Sequence, residues 1–379
     1  MTTAQPFVRP ATAADLGAIQ ALLQRAVILP DAAATPHERL LVVVRSAADD
    51  GDGDGDDDSD NGSRVGRDID NDIDNDRDSD SANDSANDTS AARQTVLATL
   101  RLRPVIGLDR PHVSYHVGCT VHAAAELGLF HRQRTLLLGH DHTGASELAD
   151  IAWLQQGAPL AEQAAALRLG VRAALLAVAM QRRAYAATLV AELPGPRDSA
   201  GQSPFWHGLG RRFYAGDPQA AAQQHGPAWR SLVAALLPRQ PVYASFLPSA
   251  AATAIGQVAP AAALLADVLE DAGLRYSHHV NVEDGGPLLE AMLDDLPGVA
   301  TARRWTLAAD APPPGAPAML LGTTGATRAL RAAAQAMPGP HGKLRVALAT
   351  RQRLGGLLPG DTVWAADCSL SAGAQGSPA

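Results

Sequence analysis

Apolar positions along the chain fall into two repeating patterns, one spaced like strands and one like helices. Phe7-Val-Arg-Pro10 reads as a short strand leading into a helix. Thr12 stands at the N-cap of that helix and Asp15, three residues on, takes the acceptor slot of a capping box. Ile19, Leu22 and Leu23 then recur at helical spacing. Two β-branched or alternating runs, Arg39-Leu-Leu-Val-Val-Val-Arg45 and 94–103, read as strands. Further along, the pattern predicts a strand over 113–121, a short helix over 122–127 and a strand over 147–154. An Ala-rich helix over 159–183, a strand over 187–192 and a loop-helix over 203–216 follow. A helix over 261–272 stops at Gly273, and 275–282 alternates as a strand. Beyond Pro312-Pro-Pro-Gly315, short β-like runs at 318–321, 344–350 and 362–366 predict a small β-rich tail module. The fold class is therefore α/β (α+β), a mixed sheet flanked by helices. The expected domains are a body formed by 1–48 and 91–300, an Asp-rich insert at 49–90, and the tail at 301–379.

Composition sharpens this picture. The chain has 379 residues, 46% of them hydrophobic, and a mean hydropathy of −0.06, values of a soluble globular protein. No uninterrupted apolar run reaches the length of a membrane span. The most apolar stretch, 167–180, carries Arg168 and Arg172 and reads as a buried or amphipathic helix. No secretory signal opens the sequence, so the expected compartment is the cytoplasm. Cys119 and Cys368 match no metal spacing and are expected to be free, buried thiols, and no metal site is predicted.

Charge is concentrated in one place. Residues 49–90 hold 17 Asp and 3 Arg, a local −14, so the rest carries +5 of the −9 total. That segment of Asp, Asn, Ser and Gly has little to bury and is expected to be a disordered linker. Asp50-Gly-Asp52-Gly-Asp54-Gly55 resembles the opening of a calcium loop, but Asn61 stands where the bidentate Glu belongs. The mildly basic body suits a small anionic ligand and is too weakly charged for nucleic acid.

A series of ordered strings carries a family resemblance. It runs from Tyr115-His-Val-Gly118, Val121-His-Ala123 and Asp141-His-Thr-Gly144 through Ser146-Glu-Leu148 and Val190-Ala-Glu192. It continues with Ser203-Pro-Phe-Trp206, Pro241-Val-Tyr243, Ile255-Gly-Gln-Val258, Gly273-Leu-Arg-Tyr276 and Asp284-Gly-Gly-Pro287. In order and spacing these resemble the arginine N-succinyltransferase family, and 7–16 resembles the first strand and helix of many GNAT acyltransferases. The resemblance implies a GNAT-like architecture with tandem halves and succinyl transfer from succinyl-CoA, as co-substrate, to the α-amine of arginine. It implies no bound cofactor and no membrane, and it allows a homo- or hetero-oligomer with a paralogous subunit.

Two strings depart from the family pattern. Where the family has a His proposed as proton donor, this chain has Ala259 in Gly256-Gln-Val-Ala-Pro260. The expected pyrophosphate loop, 154–163, has a single Gly and no Arg or Lys. The second reading is therefore a catalytically impaired subunit that pairs with an active paralogue. Ile151 falls at the family's succinyl-CoA contact, with a core strand residue as the alternative. His142 is a candidate base or a turn histidine. Glu192 is a candidate arginine anchor or proton relay, or a solvated strand-end carboxylate. Asp284 is a candidate guanidinium partner or an Asx-turn residue.

Overall fold

A computed structural model describes residues 5–25, 27–31, 33, 35, 37–46, 94–226, 228–323, 328–337 and 342–367. The Asp-rich insert, its calcium-loop-like string and Cys368 lie outside the described residues.

Fifteen described strands join one mixed sheet. Its middle is β1 (Phe7–Pro10), β2 (Arg39–Ser46), β3 (Gln94–Arg103), β6 (Ser146–Trp153) and β7 (Thr188–Glu192), side by side in that order. Beyond β7 come β10 (Pro287–Met292), β9 (Arg275–Asn281), β4 (Ser114–Ala124), β5 (Leu129–Gly139) and β8 (Val242–Tyr243). On the other side of β1 lie the C-terminal strands β11 (Arg303–Leu307), β12 (Ala318–Gly322), β13 (Ala329–Met337), β14 (Lys343–Val346) and β15 (Thr362–Asp367). These strands carry on the same sheet, because Val8 of β1 pairs with Ala329 of β13.

Nine described helices accompany the strands. α1 (Leu16–Leu23) follows β1, and α2 (Leu160–Met180) crosses the sheet between β6 and β7. The β7–β9 connection carries α3 (Pro204–Gly208), α4 (Pro218–His225), α5 (Ala228–Ala234), α6 (Ser249–Ala254) and α7 (Ala263–Asp271). α8 (Pro297–Ala300) and α9 (Leu348–Arg353) are C-terminal. The capping box at Thr12 and Asp15 forms as predicted, and Arg9 also clamps the Asp15 carboxylate.

α2 is the core helix. By length and composition Leu160–Met180 could cross a membrane, but Leu167, Val171, Leu175, Leu176 and Val178 are buried in the largest apolar cluster, against β3, β7 and α7. Gly170 lets this helix approach the sheet, since a Cβ there would stand 2.7 Å from a Leu100 methyl.

Four local expectations change, the first being the run at 344–350, where the strand ends at Val346 and Leu348 starts α9. Residues 122–124 finish β4, and only Ala125–Leu127 turn helically, as a single 3₁₀ turn. β5, absent from the sequence reading, pairs with all of β4 from Ser114↔Gly139 to Ala124↔Leu129. It escapes a periodicity test because the outer half of the hairpin is solvated, so His131, Gln133 and Arg134 interrupt the alternation. Cys119 sits on that hairpin and is exposed, not buried.

Candidate functional site

β6 and β7 are parallel neighbours joined at only three positions, Ser146↔Leu189, Glu147↔Val190 and Leu148↔Ala191. Past these, β6 runs on to Trp153, while the chain after β7 turns toward β10 through Leu193 N–H donating to Pro287 O. The two strands part there. At the same point β6 bulges. Thr99↔Ala152 is followed by Arg101↔Ala149, which leaves an extra residue on β6, and Asp150 has φ 50°. The Asp150 carboxylate is held by Arg25 and by Arg101 Nε at 2.6 Å. Burial alone would raise its pKa, but the two guanidiniums bring it below the usual carboxylate value. Ile151, half-buried, follows the bulge and packs on the main apolar cluster. It lies just past the last β6–β7 register pair, Leu148↔Ala191.

One face of the sheet here is polar. Glu147, Val190 and Glu290 are register partners across β6, β7 and β10, as are Glu192, Leu288 and His279 across β7, β10 and β9. A bulge in β9 between Tyr276 and His279, with His278 at φ 59°, places His279 on this face. The turn after β5 brings His142 down onto it, and the loop after β3 brings His112.

His142 is 3% exposed, and its Nε2 lies 3.0 Å from Glu290 Oε2. With Glu290 accepting, the proton sits on Nε2, so Nδ1 keeps its lone pair, and among the described residues Nδ1 is buried without a hydrogen-bond partner. Burial lowers the His142 pKa below 6.5, against the pull of Glu290 in the other direction. His279 packs edge-on at 4.5 Å between ring centroids, and its Nε2 meets Asp141 Oδ2 at 3.0 Å. His142 sits in the turn expected of it, with Ala145 N–H donating to His142 O at 3.1 Å.

Glu192 is enclosed by partners instead of water. His112 Nε2 lies 2.9 Å from Oε1, and Arg230 of α5 donates to both oxygens, at 3.1 and 2.9 Å. Arg230 Nε also donates to Glu283. Burial would raise the Glu192 pKa, yet Arg230 and then His112 hold it far below the carboxylate range. Nothing in the sequence places Arg230 there; it lies on a helix about forty residues downstream. Glu290 and Glu147 have a weak signal, as single acids within apolar strand runs.

His112, Glu147 and Glu192 present ligand atoms within 4.8 Å of one another, close enough for one cation. Both carboxylates already carry guanidiniums, Arg103 on Glu147 at 2.7 Å and Arg230 on Glu192. A metal would have to displace these contacts, and the trio fits a closed ion-pair network better.

Asp284 is buried in the turn between β9 and β10. Its Oδ1 accepts from Gly195 N at 2.8 Å and Gly286 N at 3.1 Å, and Arg197 Nη2 approaches Oδ2 at 3.4 Å. Gly195 and Gly286 permit this, since a Cβ on Gly286 would lie 2.2 Å from Leu193 O. The carboxylate braces the end of β7 against the turn. Beside it, Ala259 N–H donates to Pro194 O at 2.8 Å and Gly256 N–H to Gly285 O at 2.8 Å. The methyl of Ala259 thus sits on the loop that closes over the end of β7.

The loop from Gln155 to Pro159 leads into α2. Gln163 pins it, donating to Gln155 O and Ala158 O and accepting from Trp153 Nε1. Glu162 in the first helical turn pairs with Arg45. An anion approaching this helix start meets backbone amides but also that carboxylate.

Comparison with known proteins follows the same residues. The profile of the arginine N-succinyltransferase beta subunit family matches residues 87–297. An arginine N-succinyltransferase from Enterobacter sp. (strain 638) is 35% identical over 225 residues, 58% of this chain and 63% of the relative. One from Salmonella paratyphi B is 36% identical over 214 residues, 55% of this chain and 60% of the relative. The chain thus spans under two thirds of the length of these relatives. The solved structure of arginine/ornithine succinyltransferase subunit AI from Pseudomonas aeruginosa superposes with a TM-score of 0.67. That likeness covers 96% of this chain and 99% of the other at 21% identity, a likeness of fold.

Proposed function

The chain belongs to the arginine N-succinyltransferase family, and from that membership we propose that it moves the succinyl group of succinyl-CoA onto the α-amine of L-arginine. The observation that carries the reading is the parting of β6 and β7 beside a polar floor of carboxylates and histidines, of which Glu147 and His142 are buried. A thioester threaded between two diverging parallel strands, as in the GNAT fold, would put its carbonyl near the bulge at Asp150 and Ile151. A cationic amino acid on the polar face would meet Glu290, Glu147 and His142.

In this mechanism the acceptor binds as an ammonium and must lose a proton before it attacks. His142 is the base. Burial keeps it neutral near pH 7, and its Nδ1 lone pair has no competing partner. Glu290 fixes the tautomer. Glu192 does not act as a free base, because Arg230 holds it ionised; it aligns His112 and Arg230. Asp284 keeps the loop of Gly195 in register and contacts no acceptor. The attacked carbonyl gives a tetrahedral oxyanion that backbone N–H groups near Ile151 stabilise, and CoA leaves as a thiolate. No resident cofactor is required, and we place the reaction in the cytoplasm.

Ala259 favours a second reading. It stands where the family resemblance puts a proton-donating His, and a methyl group cannot protonate the thiolate. A chain that binds both ligands but turns over slowly would serve as one subunit beside an active paralogue. Release of free thiol from succinyl-CoA, with and without arginine, separates the two. Arginine-dependent release by the purified chain supports the enzyme. Binding of succinyl-CoA without release supports the subunit.

A further inference from the structure

Away from the polar face, a cavity of about 320 Å³ opens between α2 and the strands β12 and β13, beside the residues that precede β1. Three arginines line it. Arg168 and Arg172 project from successive turns of α2, and Arg331 comes from β13, where it is the register partner of Leu320. The rest of the lining is mostly apolar, from Ala165, Leu169, Leu320 and Pro6, with Gln5 as the one uncharged polar residue.

The lining gathers three guanidiniums at one opening. Arg168 and Arg172 stand four apart on one helix, a like-charge spacing that is destabilising by a few tenths of a kcal/mol. The helix positions three and four away from either hold Ala, Leu or Val and no acid. Arg168 reaches Asp271 at 3.1 Å, in a pair that is about half exposed on both sides and is weak. Arg331 has no ion-pair partner among the described residues. The main cavity has no carboxylate in its lining, and Asp271 and Asp367 line only the narrow extension beyond Arg172.

We propose that this cavity is a second ligand site, for a small dicarboxylate of about four to six carbons. Positive charge at opposite walls, with an apolar floor between, matches two carboxylates joined by methylenes. A phosphate would satisfy one wall and leave the floor dry. The volume lies at the small end of ligand pockets, which range from roughly 300 to 1,000 Å³. A ligand there would clamp the core helix to the C-terminal strands, and the site is independent of the acyl-transfer reading.

The test is calorimetry and thermal melting of the full chain with glutarate, repeated in saturating CoA so that the acyl-transfer site is blocked. Inorganic phosphate is the control anion. Glutarate is expected to bind with CoA present and to raise Tm by roughly 3 °C at ten to twenty times its Kd. Arg331→Gln and Arg168→Gln, both at exposed positions, should each weaken glutarate at least about tenfold, the loss of a charge-assisted contact, and leave CoA binding unchanged. No heat with glutarate at 20 mM (roughly twenty times a millimolar Kd) overturns the proposal. So does equal binding by wild type and both variants, displacement of glutarate by CoA, or phosphate binding as tightly as glutarate.

Discussion

Arg230 donates to both oxygens of the Glu192 carboxylate, Nη1 at 3.1 Å and Nη2 at 2.9 Å, and so ties α5 to the end of β7. Removing one partner leaves the other charge half-buried, which is more damaging than removing both. Arg230→Ala should destabilise by about 2–4 kcal/mol, and the double variant Arg230→Ala/Glu192→Gln by less. Urea unfolding of the two proteins checks this; equal losses would mean that leaving Glu192 charged and unpaired carries no penalty.

The same contact sets an acid limit on stability. Glu192 has a folded pKa far below its unfolded value near 4.3. The stability it supplies is therefore complete above that unfolded value and is lost as pH falls below it. Melting temperature should drop steeply below about pH 4.5, and Glu192→Gln should flatten that limb.

His142 has the opposite charge type and the same sign. Its folded pKa lies below 6.5, so the neutral form is favoured in the native state. Its contribution is present above pH 6.5 and is lost as pH falls toward the folded value. If His142 is the base, kcat/KM for arginine should fall on the acid side with an apparent pKa below 6.5. His142→Asn should cost about 10² to 10⁴ in rate while arginine binding, read by calorimetry, changes little. An unchanged rate in that variant excludes the role.

Ala259→His tests the missing acid. Arginine-dependent thiol release should rise by about 10² or more, with the fold unchanged, because position 259 is half-buried on a loop. No gain would mean that proton donation to the thiolate does not limit turnover.

Asp284→Ala should act on stability, not on recognition. It strips the acceptor from the amides of Gly195 and Gly286, a loss of about 2–4 kcal/mol. Asp284→Asn keeps one acceptor oxygen and should recover most of it. A raised KM for arginine at unchanged melting temperature would instead restore the carboxylate as a guanidinium partner.

Much of the framework was readable from local pattern. The capping box at Thr12, the long apolar helix and the strand ending in Glu192 each depend on neighbours within a few residues, and each formed as the pattern implies. What brings His142 to Glu290, or Arg230 to Glu192, is the order of strands in the sheet, and residue spacing carries no trace of that. Asp284 illustrates the difference. Its Asx turn was legible in Asp-Gly-Gly, but its decisive partner, Gly195, lies across the fold. The bulge in β9 was also hidden, so alternate facing of His278 and His279 could not reveal which ring joins the polar floor.

The pairing of Val8 with Ala329 has a kinetic consequence. Strand β1 completes its last ladder only with a segment made about 320 residues later. Until then one edge of the nascent sheet stays open and able to pair with another molecule. Slow refolding that worsens with protein concentration is therefore to be expected, and a circular permutant that joins these segments early should refold faster.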